Sequence, residues 1–132
     1  MPTKNREDYL RALYLLTEKE HEIKSVDIAK YLHISKPSVS EMVQELDKEG
    51  LIIYQKYAKL KFTPKGKKIA EKLTAKHRLI ELFLKNILKM DAHQLHEEAH
   101  RLEHAFSDEA IEKIRALLGN PTTDPHGKPI PR

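Results

Sequence analysis

The feature that most constrains this 132-residue chain is a short turn between two amphipathic segments, at residues 33–36. Before the turn, residues 26–32 carry apolar side chains at helical spacing, and Ser25 is a residue type that caps helices. After the turn, Ser35 is a second such residue, and Pro37 lies in a first helical turn, where its missing N–H costs nothing. The spacing therefore predicts two helices joined by a tight turn.

The flanking segments extend this pair into a larger pattern. Residues 6–20 predict an amphipathic helix in front of it, and apolar residues within 39–46 give the helix after the turn one buried stripe. Two short alternating runs, 51–55 and 59–63, then predict a two-stranded ribbon. This order of elements is typical of a winged helix-turn-helix. We predict such a DNA-binding domain over residues 1–63.

Positive charge is concentrated in this part of the chain. Residues 1–76 hold 16 Lys and Arg against 11 Asp and Glu, whereas residues 77–132 hold 8 against 9. A basic surface attracts a polyanion, and small polar residues near the start of a recognition helix can approach base edges. Among these residues, Glu41 is tolerated in the DNA major groove only where its carboxylate accepts a hydrogen bond from a cytosine amino group. The predicted DNA-contacting residues are Ser35, Lys36, Pro37, Ser38, Ser40, Glu41, Lys56 and Lys59.

A second, helical domain is predicted over residues 64–119. Thr63 and Pro64 are a strong helix start, and the helix could run to about Lys89. Its later part, residues 79–88, is apolar over more than one face, which a small monomer cannot easily bury. We therefore predict a homodimer interface here. The alternative is that this is the central core helix of a monomer.

The next predicted helix begins at Asp91, with Gln94 in the position of a capping box. Its residues map to an apolar arc and, beside it, an arc of four histidines and one glutamate. On the preceding helix, His77 and Glu81 share a face. Imidazoles and carboxylates at the edge of a core are costly to bury unless something such as a divalent cation satisfies them. The arc consists of His93, His96, His100, Glu103 and His104.

Two other functions use the same residues. The segment from His96 through Glu97 to His100 satisfies the H-E-x-x-H signature of zinc hydrolases, with Glu97 as the general base. This signature is short, and a protease needs a cleft that the chain has little room to build, so we expect no enzyme. The other alternative is a metal-independent winged-helix regulator whose histidines are surface residues.

Composition excludes several classes of protein. The chain has no cysteine, and therefore no disulfide, iron–sulfur cluster or thiolate zinc site. It has no stretch near the roughly 20 apolar residues that a membrane span needs. The N-terminal residues are polar and charged, unlike a signal peptide. We expect a cytoplasmic protein that does not enter a membrane.

Motifs in order along nearly the whole chain resemble the diphtheria-toxin-repressor and manganese-transport-regulator family of metal-dependent transcription repressors. Together they are highly specific. They are Glu7-Asp-Tyr-Leu-Arg-Ala-Leu-Tyr, Val26-Asp-Ile-Ala-Lys-Tyr-Leu, Lys36-Pro-Ser-Val-Ser, Leu46-Asp-Lys-Glu-Gly-Leu-Ile, Thr63-Pro-Lys-Gly, His77-Arg-Leu-Ile-Glu and Glu98-Ala-His-Arg-Leu-Glu-His-Ala-Phe-Ser-Asp-Glu.

The resemblance implies a mainly α fold, in which the winged helix-turn-helix precedes a helical metal-binding and dimerisation domain. It implies a repressor of metal-ion homeostasis genes that binds palindromic operators in double-stranded DNA as a metal-loaded homodimer. It also implies two metal positions per subunit. The primary position would use Asp8, His100, Glu103 and His104, and the ancillary position would use His77, Glu81 and His96.

Departures from the family pattern bear on the metal. Asp8 stands where iron-responsive members carry a methionine, which favours Mn(II), with Fe(II) as the alternative. His100 is neither of the residues usual at its position. Arg11 replaces a glutamate of the binuclear manganese type, which indicates two separate sites. Residues 120–132 resemble the Pro-rich linker that precedes an SH3-like domain in longer members, and we expect this tail to be extended and mobile.

Overall fold

The computed structural model describes residues 4–20, 22–55, 57 and 59–132. The chain divides into two compact units, Met1–Glu71 and Lys72–Arg132, which we call unit 1 and unit 2. The fold is mainly helical with one small sheet, which confirms the predicted fold class.

Unit 1 is built on three helices, α1 (Lys4–Thr17), α2 (Ser25–Leu32) and α3 (Lys36–Lys48). His33 adopts the left-handed conformation (φ 56°) that ends α2, and Ser35 Oγ accepts a hydrogen bond from the Ser38 N–H at 3.2 Å to cap α3. The helix-turn-helix prediction is therefore confirmed. The apolar side chains buried in this unit include Leu10, Leu13, Ile28, Val39, Val43 and Leu46.

The start of α2 differs from its prediction. Ser25 is the first helical residue, and the N-cap position belongs to Lys24, whose backbone is extended. The Lys24 N–H donates to Asp27 Oδ2 at 2.8 Å. The carboxylate at the third helical position thus closes the first turn, so the hydroxyl of Ser25 is not needed as a cap.

A three-stranded antiparallel sheet follows the order β1-β3-β2, with β1 at Ile23–Lys24, β2 at Ile52–Tyr54 and β3 at Lys59–Phe62. Strands β2 and β3 form the predicted ribbon, and Ile53 pairs with Lys61 across it. Strand β1 was not predicted, because two residues carry no detectable alternation. It covers the second edge of β3.

The fourth helix, α4 (Pro64–Asn86), begins as predicted at the end of this ribbon. Thr63 Oγ1 accepts from the Gly66 N–H at 3.0 Å and donates to the Gly50 carbonyl at 2.7 Å. A Cβ at position 66 would lie 1.8 Å from the Leu51 carbonyl oxygen. Only glycine therefore allows the first turn of α4 to lie this close to the backbone that precedes β2.

Unit 2 contains the rest of α4 together with α5 (Ala92–Glu103) and α6 (Asp108–Leu117). Their apolar faces form one core inside the chain. The buried members of this core are Ala75, Leu79, Ile80, Leu82, Leu84, Leu95, Ala99, Ile111, Ile114 and Ile130.

This core corrects the argument for a dimer interface along α4. Leu79, Ile80 and Leu84 are at most 1% exposed within the single chain, because α5, α6 and the C-terminal segment supply the surfaces that a lone helix lacks. Only the end of the apolar run is exposed, at Ile87 (46%) and Leu88 (54%). Intramolecular packing thus accounts for most of the apolar pattern, and a dimer does not follow from it.

The link between α4 and α5 also differs in detail. Helix α4 ends at Asn86, three residues before the predicted end, and Lys89 takes a positive φ of 59°. Asp91 is the N-cap of α5 as predicted, but its side chain makes no capping hydrogen bond. The Gln94 N–H is instead bonded to the Asp91 carbonyl at 3.0 Å, so the capping-box prediction was wrong.

The C-terminal segment is packed rather than mobile, contrary to expectation. Ile130 is 6% exposed and belongs to the core of unit 2. Thr123 and Pro129 form an antiparallel bridge, and the Asp124 N–H donates to the Lys128 carbonyl at 2.8 Å. The prolines suggested a linker, but burial of Ile130 in the core favours a docked segment.

None of the helices in the described part of the chain combines the length and the hydropathy of a membrane-spanning segment.

Candidate metal centres and DNA-binding surface

Three predicted ligands converge on one spot in unit 2, and we call them the Glu81 group: His77, Glu81 and His96. His77 Nε2 lies 2.6 Å from Glu81 Oε1 and 3.2 Å from His96 Nδ1, and His96 Nδ1 lies 3.4 Å from Glu81 Oε1. His77 and Glu81 are one turn apart on α4, while α5 supplies His96. Two helices therefore bring two nitrogens and one oxygen together.

The Glu81 group fits a divalent cation. Ligand atoms about 2.1 Å from a metal lie roughly 3.0 to 3.4 Å from one another. The two distances to His96 Nδ1, 3.2 and 3.4 Å, fall in this range, and the 2.6 Å between His77 Nε2 and Glu81 Oε1 is that of a hydrogen bond, which a cation would replace. Glu81 is 3% exposed, and its Oε2 accepts no hydrogen bond from any residue that the structure describes. A buried carboxylate oxygen without a donor is costly, and a cation would satisfy it.

The charge of Glu81 favours the same function. Burial raises the pKa of its carboxyl, but hydrogen bonds from His77 and His96, together with the positive charge of these imidazoles, lower the pKa by more. The pKa of the Glu81 carboxyl therefore lies well below its ordinary value of 4.5. Glu81 is therefore ionised, which is the form that binds a metal.

A second cluster in unit 2, which we call the Glu103 group, consists of His100, Glu103 and His104. Glu103 Oε1 lies 3.0 Å from His100 Nδ1 and 3.4 Å from His104 Nε2, and the two imidazole rings are nearly perpendicular. One ligand atom from each of the three lies within 4.8 Å of the others. Glu103 is buried, whereas the histidines are half-buried, so the group opens toward the surface.

The two groups are in direct contact through His77. Its Nδ1 lies 2.6 Å from Glu103 Oε2, while its Nε2 faces Glu81. The imidazole is 5% exposed and lies between two buried carboxylates. A metal-binding histidine whose other nitrogen is held by a carboxylate has a fixed tautomer and orientation.

Three further residues bear on the predicted metal sites: Asp8, Arg11 and His93. Asp8, predicted as a ligand of the primary site, and Arg11 are in α1 of unit 1. His93, the fifth member of the predicted arc, is exposed and belongs to neither group. His93 is the second residue of α5, and a place on the predicted arc was not enough to bring it into either group.

His126 is a residue near the Glu81 group that the sequence did not single out. Its Nε2 lies 3.4 Å from Glu81 Oε2. It belongs to the C-terminal segment, 45 positions from Glu81 along the chain. No local spacing could link the two, because the contact depends on the fold of residues 120–132.

The hydrolase signature is not assembled as a catalytic site. His96 belongs to the Glu81 group and His100 to the Glu103 group, so the two histidines do not share a metal position. Glu97 is exposed and pairs with Arg101 Nη2 at 2.6 Å. The carboxylate that would act as general base is therefore held on the outer face of α5 by an arginine.

The predicted recognition surface lies on α3 of unit 1. Every residue predicted there is exposed, while Val39 and Val43 hold the opposite side in the core. The side chains on this face are small or polar, so a groove could be approached closely. The exposed residues are Ser35, Lys36, Pro37, Ser38, Ser40, Glu41 and Gln44.

The sheet contributes lysines to the same unit. Lys59 Nζ pairs with Glu22 Oε1 at 2.9 Å, and this hydrogen bond and charge lower the pKa of Glu22. Lys61, opposite Ile53, is exposed. Lys56, also predicted to contact DNA, lies outside the described residues. Lys59 is therefore already paired with Glu22. To bind a DNA phosphate, it would have to break this ion pair.

Comparison with known proteins places both units in one family. Residues 1–60 match the iron dependent repressor N-terminal DNA binding domain, and residues 63–132 match the iron dependent repressor metal binding and dimerisation domain. Together these matches cover nearly the whole chain.

Solved structures agree with the family models. The chain is similar to the manganese regulator SloR, with 44% identity and a TM-score of 0.85 over 99% of this chain and 61% of that one. It is similar to a manganese-dependent transcriptional repressor in complex with manganese, with 34% identity and a TM-score of 0.89 over 96% and 58%. Another similar structure is ScaR with bound Zn²⁺, with 41% identity and a TM-score of 0.83 over 99% and 60%.

The chain thus spans about three fifths of the length of these proteins. The two domain models match in the same order as the two structural units, and two of the similar solved structures are a manganese regulator and a manganese-dependent transcriptional repressor. This chain belongs to the iron dependent repressor family.

Proposed function

We propose that this protein is a metal-activated transcriptional repressor rather than an enzyme, acting in the cytoplasm on genes of metal-ion homeostasis. The observation that carries the proposal is the convergence of buried Glu81 and Glu103 on histidines in one unit, in a chain whose other unit exposes a helix-turn-helix face. A protein with both features can couple cation binding to DNA affinity.

We infer two metal positions per subunit. His77, Glu81 and His96 would hold the ancillary ion. His100, Glu103 and His104, with Asp8 of α1 as a further ligand, would hold the primary ion. A divalent cation supplies positive charge that carboxylates from different elements can share. Asp8 is the one predicted ligand in unit 1, and its carboxylate would tie the DNA-binding unit to the metal-binding unit.

Mn(II) is the favoured metal and Fe(II) the alternative. Every proposed ligand is a nitrogen or a carboxylate oxygen, and the chain contains no cysteine. Hard oxygen ligands suit Mn(II), and Asp8 adds one where a softer residue would favour iron. The similar proteins named for manganese and the zinc-bound neighbour support an N/O site that accepts several divalent ions.

The proposed partners are double-stranded DNA with a palindromic operator and a second copy of the chain. In a dimer, two α3 helices held about 34 Å apart would enter successive major grooves. The exposed apolar side chains that directly follow α4, Ile87 and Leu88, support an interface there. Without metal, the two units would be free to move relative to each other. The free energy needed to order them on DNA would then lower the affinity for DNA.

Fluorescence anisotropy with a palindromic fragment from upstream of the gene tests this function. The titration is run at fixed salt in chelator, then with Mn(II), anaerobic Fe(II) and Zn(II), because salt sets the baseline affinity. We expect affinity to rise at least about tenfold with Mn(II) or Fe(II). Equal affinity in chelator would indicate a metal-independent winged-helix regulator instead.

Asp8→Ala tests the proposed link between the units. At limiting Mn(II), this variant should bind the operator more weakly than the wild type, whereas saturating metal should restore part of the affinity. Glu20→Ala, which removes one exposed carboxylate from the same unit, is the matched control and should behave as wild type. Wild-type behaviour of Asp8→Ala would contradict a primary site that includes α1.

A further inference from the structure

A buried ion pair anchors the C-terminal segment of unit 2 to α4. Arg78 and Asp124 are 3% and 7% exposed, and Arg78 Nε lies 3.8 Å from Asp124 Oδ2. Arg78 Nη1 also donates to the Pro129 carbonyl at 2.5 Å. Removing one member of a buried ion pair costs far more than removing a surface pair, because the other charge is left without compensation.

The second carboxylate oxygen of Asp124 shapes the segment itself. Oδ1 accepts hydrogen bonds from the backbone N–H groups of His126 and Lys128, both at 2.8 Å. Gly127 takes the positive φ of 82° that this turn requires. Asp124 therefore pairs with the guanidinium of Arg78 through one carboxylate oxygen, and it fixes the backbone around His126 through the other.

The anchor lies next to the Glu81 group. Arg78 and Glu81 are three positions apart on α4, so they lie on neighbouring turns of one face. The turn held by Asp124 places His126 Nε2 3.4 Å from the Glu81 Oε2 that accepts no hydrogen bond from the described residues. The side chain of His126 is 55% exposed, so the backbone rather than surrounding side chains sets its position.

We propose that Arg78 and Asp124 are positioning residues for the ancillary metal, and that they couple metal binding in the Glu81 group to docking of the C-terminal segment. When the ion pair holds the turn, His126 can face the same cation as Glu81. Thermodynamic linkage makes the effect reciprocal. A cation bound there stabilises the docked segment, and release of the segment lowers the affinity for the cation. This inference rests on the metal positions of the proposed function.

The coupling is tested in the 132-residue chain by measuring the number of bound Mn(II) ions and the affinity of each. Asp124→Ala should weaken one of the two Mn(II) ions by about 10- to 100-fold and leave the other unchanged, as losses of ligand-orienting residues do. Asp108→Ala is the matched control, because Asp108 is an exposed acid of the same unit that pairs with Lys72. The double variant Asp124→Ala/His126→Ala should bind no more weakly than His126→Ala alone, because both changes act through one imidazole.

Hydrogen exchange of the wild type supplies a second readout that does not depend on a variant folding. Adding Mn(II) or Zn(II) should slow exchange of the amides within residues 122–130, and His126→Ala should abolish this slowing while leaving the ion pair intact. Two ions bound by Asp124→Ala with wild-type affinities, or unchanged exchange in the wild type, would overturn the coupling and leave the repressor function standing. Absence of any Mn(II) binding by the wild type would overturn both.

Discussion

Nδ1 of His77 lies 2.6 Å from Oε2 of Glu103, so a ligand of one candidate metal position is hydrogen-bonded to a ligand of the other. His77 faces Glu81 with its second nitrogen. A cation bound at Nε2 would leave the imidazole proton on Nδ1, where His77 would donate it to Glu103. The two candidate positions would therefore be linked by one hydrogen bond through His77, although no residue would bind both ions.

Replacing His77 should consequently affect both positions. His77→Ala removes a ligand from the Glu81 group and a hydrogen-bond donor from Glu103, and we expect Mn(II) affinity at each position to fall by about 10-fold or more. Isothermal titration with Mn(II) measures both. His93→Ala removes an exposed histidine from the same unit and should change neither. Loss at one position only would mean that the hydrogen bond to Glu103 has no influence on its metal.

The lowered pKa of Glu81 predicts a pH dependence of stability in the metal-free chain. Its folded pKa lies below the ordinary value of 4.5, so the unfolded state binds a proton first as pH falls. The stability that Glu81 contributes is therefore fully present above pH 4.5 and is lost progressively below it.

Urea denaturation in chelator at several values between about pH 3 and 6 measures this effect. Glu81→Gln cannot titrate, so its stability should fall less steeply across this range than that of the wild type. Glu97→Gln, at an exposed position, is the control. Parallel curves for the wild type and Glu81→Gln would show that Glu81 is not stabilised in its ionised form.

Gly66 should tolerate no side chain. In Gly66→Ala, the new methyl group would meet the Leu51 carbonyl oxygen at 1.8 Å, so the start of α4 must move away from the backbone before β2. We expect a loss of about 1 to 3 kcal/mol in the free energy of unfolding, measured with urea. Lys67→Ala, at the exposed neighbouring position, should stay within about 0.5 kcal/mol of the wild type. Equal stabilities of the two variants would refute the close approach.

Glu22 should limit the contribution of Lys59 to DNA binding. Its carboxylate holds Lys59 Nζ at 2.9 Å, so a phosphate must displace it. Glu22→Gln should therefore raise operator affinity by about two- to fivefold at low salt, with the difference shrinking as salt rises. Glu20→Gln removes a nearby exposed charge that is not paired with Lys59 and should have a smaller effect. Equal gains for both variants would indicate general electrostatics rather than a released lysine.

Local spacing was sufficient to predict the helix-turn-helix, the start of α4 and the helix faces that carry the histidines and glutamates, whereas their division into two ligand sets was implied only by the family resemblance. Ser35, Thr63 and the i, i+4 pair His77 and Glu81 depend only on neighbours within one turn, which sequence periodicity captures. The contacts that sequence could not supply join distant positions. Strand β1 exists only because Ile23 pairs with Leu60, and His126 reaches Glu81 only through the folded C-terminal segment.

Sequence patterns were least decisive where the burial of a side chain has more than one explanation. An all-round apolar helix is equally expected at an interface and in the middle of a small core, and Leu79 and Ile80 turned out to lie in the core. A Pro-rich segment is equally expected in a linker and in an irregular packed turn. The deciding quantity in both cases is which surface covers the side chain, and this is a tertiary property.

The packed C-terminal segment changes what counts as the smallest foldable piece of unit 2. A chain cut after Gly119 would keep all three helices but would open a hole where Ile130 fills the core. It would also leave the guanidinium of Arg78 in a dry interior without the carboxylate and carbonyl that receive it. The last thirteen residues form almost no regular secondary structure, yet they complete the core that the three helices leave open.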